Sequence, residues 1–146
     1  MLNASKIYDI TVAFGLYKLF PRYSNHTYED VHTHIAPSIE LDQYKIHYNK
    51  GVPYAFTNWA FLNEDAEQRF MTTAMLNPED YNSGNRPWHV DTVCTGNIKT
   101  VMKWTKQYFT NLLGYNKPVK WLRVSDDDEI TRVAVRYTKE HYGRNK

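Results

Sequence analysis

The segment Cys94-Thr95-Gly96-Asn97 places a thiol, a hydroxyl and a glycine between an apolar run that reads as a strand and a periodic run that reads as a helix. Free backbone N–H groups at such a turn, added to the positive end of the helix dipole, suit a phosphate. A single glycine also serves in any tight turn. Cys94 has two readings, a small core residue or a nucleophile that carries a substrate group covalently. His32 and His34 form an H-x-H pair, with His26 and His47 elsewhere. Zinc uses such ligands, but no cysteine cluster or second tight pair accompanies them, so no metal is expected. Asp126-Asp127-Asp128-Glu129 lacks the glycine and spacing of a calcium loop and reads as a solvated turn. Asp91 ends a run of apolar and aromatic residues, where a carboxylate is costly unless hydrogen-bonded or paired. It either takes part in chemistry or ties the loop from Ser83 to Arg86 to the sheet, with Arg86 as partner.

These residues need elements to hold them. Ile7, Ile10, Phe14 and Tyr17 recur at helical spacing, and Pro21 ends that helix. A polar stretch from Arg22 to Asp30 follows, then a short helical turn from Val31 to Ile35 before Pro37. Tyr44, Ile46 and Tyr48 alternate with polar residues as a strand does, and Asn49-Lys50-Gly51 turns the chain into a returning strand from Val52 to Phe61. Asn63 caps the next helix, with Glu64 and Asp65 in its first turn and Ala66, Phe70, Ala74 and Met75 as its apolar face. Asn77 to Pro87 is a loop, and Trp88 to Cys94 a central strand. Asn97 starts the strongest helix. Its stripe is Ile98, Val101, Met102, Thr105, Tyr108, Phe109, Leu112 and Leu113, and Gly114 closes it. Strands from Val119 to Val124 and from Ile130 to Thr138 finish the fold, followed by a basic tail. This order predicts an α/β (α+β) mixed sheet with helices on both faces.

The 146 residues fit one domain, 1–146, and a hydrophobic content of 42% fills one core. A net charge of +2 gives little support to a nucleic-acid partner but leaves room for a local basic face. One cysteine excludes an intrachain disulfide and suits a reducing compartment, so a cytoplasmic location is expected. Asp9 and Lys18 interrupt the first twenty residues, and no signal peptide or membrane span is read there. The many aromatics read as core filling in the first instance and as the wall of a ligand groove in the second.

Two longer stretches are more specific. Pro53-Tyr54-Ala55-Phe56-Thr57-Asn58-Trp59-Ala60 follows the hairpin, and Glu79-Asp80-Tyr81-Asn82-Ser83-Gly84-Asn85-Arg86-Pro87-Trp88-His89-Val90-Asp91 comes later. Together they resemble the RTX toxin-activating lysine acyltransferases over nearly the whole chain, with a shorter C-terminal part than is typical. The resemblance implies a GNAT-like acyltransferase fold. It implies acyl transfer from acyl carrier protein to the ε-amine of a lysine in a protein substrate, and homodimers are common among such proteins. It also implies that Asp91, which ends the second stretch, acts with a histidine just after the first helix. Aligning Pro21 and Pro37 places Tyr23 where that histidine belongs, with His26 three residues later in the same loop.

A lysine amine has a pKa of about 10.4, so acylation needs a base. His26 is the candidate, with Asp91 orienting it or holding the amine. Backbone N–H groups near Val93 to Thr95 are candidates to receive the oxyanion. Thr95, Gly96, Asn97 and Ile98, with Lys99 nearby, would then hold the donor's phosphopantetheine or pyrophosphate. Lys99, Lys103 and Lys106 are either a solvated helix face or a landing strip for an acidic carrier or coenzyme A phosphates. Two alternatives remain: a GNAT-type N-acyltransferase using acyl-CoA on a small amine or modified nucleobase, and a catalytically inactive binding protein of the same fold.

Overall fold

The computed structural model describes residues 2–125, 127 and 129–141. Its four helices are α1 (Ala4–Tyr17), α2 (Tyr28–Glu40), α3 (Glu64–Thr73) and α4 (Ile98–Leu113). Its strands are β1 (Tyr44–Asn49), β2 (Val52–Leu62), β3 (Arg86–Cys94), β4 (Pro118–Val124) and β5 (Ile130–Tyr137). They form one mixed sheet in the order β1-β2-β3-β4-β5, parallel only between β3 and β4. This is an α+β arrangement consistent with a GNAT-like fold.

Strand alternation assigns the two faces. Ile46, Phe56 and Val93 pack beneath α1 and α2, against Ile10, Ala13, Leu16, Tyr17, Val31, Ile35 and Ile39. Ala60, Leu62 and Trp88 meet Ala66 and Phe70 of α3 on the same side. Trp59 and Val119 meet Phe109 of α4 on the other. Lys50 and Gly51 both have positive φ, at 51° and 81°, as a two-residue type I′ hairpin turn requires.

The main departure from the sequence reading is α2. The expected single turn from Val31 to Ile35 is a thirteen-residue helix. Its start is a capping box: Thr27 Oγ1 accepts from Asp30 N (3.1 Å) and Asp30 Oδ2 accepts from Thr27 N (2.8 Å). Pro37 lies inside it without ending it. Proline removes one i→i−4 bond, while the buried face of Val31, Ile35 and Ile39 continues past it. A second correction concerns α3. Ala74 is its left-handed C-cap (φ 58°) and Met75 is exposed, so neither extends the apolar face. The acidic turn lies partly outside the described residues at Asp126 and Asp128, as does the basic tail from 142 onward.

The first part of the second long motif is a strap laid along the end of β2, just before β3. Ser83 Oγ accepts from Asn63 N (3.0 Å), and Gly84 N donates to Phe61 O (3.0 Å). A Cβ on Gly84 would lie 2.6 Å from the Asn63 and Leu62 backbones, so only glycine lets the strap lie this close. Arg86 and Trp88 then donate to the buried Glu67 at 2.9 and 2.8 Å, and Lys120 Nζ approaches it at 3.4 Å. Arg86 is therefore the partner of Glu67, and the expected tie between Arg86 and Asp91 is not made.

β3 and β4 share a single registered pair, Trp88 with Lys120. Beyond it the two parallel strands lose their ladder, and the gap opens into a cavity of about 1600 Å³.

Candidate functional site

Asp91 lies on β3 just past a bulge. The β2–β3 register runs from Trp59 opposite His89 to Asn58 opposite Asp91, leaving Val90 unpaired. A bulge re-aims the side chains that follow it; here it puts Asp91 on the face covered by α1 and α2. Both helices then supply it with partners. Tyr17 OH donates to Asp91 Oδ2 at 2.6 Å, and His34 Nε2 meets the same oxygen at 2.6 Å. The backbone of Asp91 is fixed as well. Its N–H donates to Asn58 Oδ1 (2.9 Å), and Asn58 Nδ2 donates to Ser38 Oγ (2.9 Å), one turn along α2 from His34. Asn58 and Ser38 have no exposed surface, so the position of Asp91 relative to α2 is set from two directions.

The electrostatics follow from this geometry. Burial pushes the Asp91 carboxyl up, but the His34 charge, the bonds from His34 and Tyr17 and the field of Arg22 outweigh it, so Asp91 sits below the ordinary carboxylate range. For His34, burial lowers the imidazole pKa, yet the Asp91 charge and hydrogen bond leave it net raised, against a small opposing effect of Arg22. Tyr17 is held far above its ordinary value by burial and by Asp91, so it remains a neutral donor. An ionised Asp91 accepting from Nε2–H leaves the Nδ1 lone pair of His34 to take a proton. The His34 side chain is 44% exposed and lines the cavity, whereas that of Asp91 is 15% exposed.

The histidine that meets Asp91 is thus His34, and not His26. His26 and Tyr23 do line the same cavity. Tyr23 stands edge-on to Tyr17 (centroids 4.8 Å apart, 71°) and to His26 (5.5 Å, 75°), so its ring lies between His26 and the Asp91 network. His32 packs against Tyr28 (5.9 Å), on a different side of α2 from His34, and the H-x-H residues do not converge. The sequence signal for His34 was present in Thr27-x-x-Asp30, the capping box that puts His34 on a helix. Ser38 carries no mark in the sequence, Tyr17 reads only as one residue of an apolar stripe, and Asn58 stands in the first long stretch with no role of its own.

The expected donor residues divide. Val93 and Ile98 line the cavity, whereas Thr95, Gly96, Asn97 and Lys99 are not among its described lining residues. Thr95 N and Oγ1 both donate to Tyr54 O, at 2.8 and 3.2 Å, and Lys99 N is capped by Asn97 Oδ1 at 3.0 Å. The Tyr54 ring covers Gly96, with a ring carbon 2.6 Å from where a Cβ would stand. The N-terminus of α4 therefore satisfies part of its own donor set. Cys94 is a free, partly buried thiol. Among the described residues no group of three histidine, cysteine or acidic side chains is gathered as for a metal, and no helix is long and apolar enough to cross a membrane.

A mixed sheet parted between two parallel strands, with a carboxylate–imidazole pair bordering the opening, is consistent with a GNAT-like fold. The profile of the RTX toxin acyltransferase family matches residues 9–137, and the chain belongs to that family. It is 29% identical over 115 residues to the protein-lysine myristoyltransferase RtxC of Kingella kingae, a match covering 77% of this chain and 63% of that protein. It is 29% identical over 102 residues to the RTX-I toxin-activating lysine-acyltransferase ApxIC of Actinobacillus pleuropneumoniae (68% and 56%). The leukotoxin-activating lysine-acyltransferase LktC serotype A1 of Mannheimia haemolytica is 37% identical over 60 residues (40% and 36%). The chain thus spans less than two thirds of the length of each of these relatives.

Proposed function

We propose that this protein is an N-acyltransferase that moves an acyl group from the phosphopantetheine thioester of acyl carrier protein to the ε-amine of a lysine in a protein substrate. The observation that carries this reading is the Tyr17–Asp91–His34 network beside the gap between β3 and β4. Family membership supports the reaction class, and the names of the relatives supply the lysine acceptor.

In the proposed reaction, the lysine ammonium first gives one proton to solvent, and His34 takes a second from the attacking nitrogen as it bonds to carbon, while Asp91 holds the imidazole tautomer and stabilises the imidazolium. The amine nitrogen forms a bond to the thioester carbonyl carbon, the C–S bond breaks, and the proton passes from His34 to the departing sulfur. The oxyanion needs donors at the gap. Thr95 N–H is turned to β2 by its bond to Tyr54 O. Strand alternation turns Val93 the same way and points the N–H groups of Thr92 and Cys94 toward β4, which has left the ladder. Those two replace Thr95 as the oxyanion donors of this proposal. Val93 and Ile98 border the path of the pantetheine arm.

The test supplies the protein with acyl-loaded carrier protein or acyl-CoA and a lysine-bearing protein acceptor, and reads thioester loss together with a mass shift on the acceptor. Transfer from the carrier thioester supports the proposal. Turnover with acyl-CoA alone selects the small-amine alternative, and binding of either donor without turnover selects the inactive one.

A further inference from the structure

The opening between the strands has a second wall, formed by the β4–β5 hairpin. Trp121 on β4 stands opposite Ala134, and Arg123 stands opposite Arg132. Arg136 is two residues beyond Ala134 on β5, opposite Val119 and on the same face. The Arg123 and Arg136 guanidinium carbons lie 5.8 and 5.2 Å from the Trp121 ring centroid, one from each strand. Trp121, Arg123 and Arg136 all line the cavity that holds His34 and Asp91, and Lys106 lines it from α4.

Like charges directly across an antiparallel pair repel, and here Arg123 and Arg132 face each other, with Arg136 beyond Trp121 on the same face. Among the described residues none of these arginines, nor Lys106, makes an ion pair. The acidic side chains that line the cavity are Asp30, Asp91 and Glu140. Asp30 is used in the cap of α2 and Asp91 by His34. Planar guanidiniums held against an indole are pre-organised and remain free to present N–H donors outward, an arrangement suited to a phosphate. The turn before α4, where the sequence suggested a phosphate, commits its Thr95 and Lys99 N–H groups within the protein.

We infer that Arg123 and Arg136, set about Trp121, bind the phosphate of the acyl donor's phosphopantetheine arm. The inference rests on the proposed reaction for the identity of the donor, and assigns the anion to the β4–β5 wall in place of the α4 N-terminus. The same phosphate occurs in coenzyme A and on a carrier protein.

The test reads binding, not turnover, so that a wrong reaction and a wrong phosphate site give different results. 4′-Phosphopantetheine, pantetheine and coenzyme A are titrated into the wild-type protein and into R123Q/R136Q, following Trp fluorescence and calorimetric heat, with circular dichroism to confirm that the variant is folded. The expected result is that 4′-phosphopantetheine binds at least about tenfold more tightly than pantetheine, and that the double variant abolishes this difference. R123K/R136K keeps the charge and loses the planar fork, and restores binding in part. Coenzyme A binding no tighter than 4′-phosphopantetheine supports the phosphate site with a carrier-borne arm. Tighter coenzyme A binding that is also lost in R123Q/R136Q supports the same site with a nucleotide-bearing donor. Equal binding of pantetheine and its phosphate, or undiminished binding by a folded R123Q/R136Q, overturns the inference. So does a double variant that loses only intact carrier protein, because the arginines would then meet the carrier's acidic surface.

Discussion

Two carboxylates are held against the same strand, and their partners make them different devices. Glu67 accepts from Arg86 and Trp88 and is approached by Lys120. Burial pushes its pKa up, but these bonds and the two cations bring it net below the ordinary value. Its partners are a guanidinium, an ammonium and an indole N–H drawn from three places in the fold, so Glu67 is a fixed brace between α3, the strap before β3, and β4. Asp91, three residues beyond Trp88, accepts instead from a tyrosine and a histidine. One of these is an imidazole whose pKa is raised by the Asp91 charge and hydrogen bond, and which opens to a cavity. A buried acid with permanent donors stabilises; a buried acid with a titrating, accessible donor can move a proton.

The largest effect expected from this contrast is at Asp91. Asp91→Asn keeps the shape and an acceptor for Tyr17, but loses the charge that supports the His34 imidazolium. Turnover should fall by about 10³, within the range for general acid–base groups, with no more stability lost than the charged Asp91–His34 pair contributes. Equal turnover in steady-state assays would remove Asp91 from the chemistry. Glu67→Ala should do the reverse. It leaves the Trp88 N–H and two cations without their acceptor and should cost about 3 kcal/mol of unfolding free energy in urea, while activity per folded molecule is preserved.

The next test uses pH, because two histidines on either side of the sheet have opposite shifts. His89 is buried on the α4 side, where its Nε2 meets Thr57 Oγ1, and burial pulls its pKa down to about 4. As pH falls from about 6.5 the unfolded chain takes up a proton that folded His89 refuses, so stability is lost through that window down to about pH 4. The slope is at most about 1.4 kcal/mol per pH unit. His34 is raised, so its contribution is fully present below about 6.5 and is lost as pH rises through its higher folded value. Asp91 is lowered, so its contribution is present above about 3.9 and is lost as pH falls through its folded value. His89→Gln should flatten the acid limb, and His34→Gln the neutral limb, in unfolding free energies measured from pH 4 to 8. Activity should rise with pH through the His34 transition, since the base acts when neutral.

The elements around the brace are legible in sequence, but its centre is not: Glu67 carries no signal of its own, and Arg86 reads as a partner for Asp91. Asn63, the Ser83-Gly84 pair and Arg86-x-Trp88 are local signals, and they mark α3, the strap and the start of β3. The strands of the sheet could be read because alternation and Lys50-Gly51 fix a hairpin without reference to the rest of the chain. Asp91 stood out because it closes an apolar strand. Its partners did not, because they arrive from α1 and α2 over 74 and 57 residues of chain. Pro37 also argued for a break that the buried face of α2 overrode. The bulge at Val90 carries no residue signature, and without it the side on which Asp91 emerges is not fixed.

Two smaller effects sharpen the comparison further. Tyr17→Phe removes one donor from Asp91 Oδ2 but leaves the imidazole in place; about a tenfold loss of turnover and a shift of the activity profile along pH are expected, whereas a merely structural tyrosine would leave the profile where it was.

The smallest effect is expected at His26, and it separates two ways of building this site. If the loop supplied the base, His26→Ala would match Asp91→Asn in severity. The Tyr23 ring stands between His26 and the Asp91 network, and the lysine Lys18 ties the His26 carbonyl down at 2.9 Å, so the loop is held in that arrangement. His26→Ala should therefore leave turnover within about twofold of wild type, while His34→Ala loses it by about 10² or more. The double variant H26A/H34A should be no worse than H34A alone, since only one of the two histidines shares a proton with Asp91. A double variant much worse than either single one would mean that both rings reach the amine, and that the helix-borne histidine has not displaced the loop.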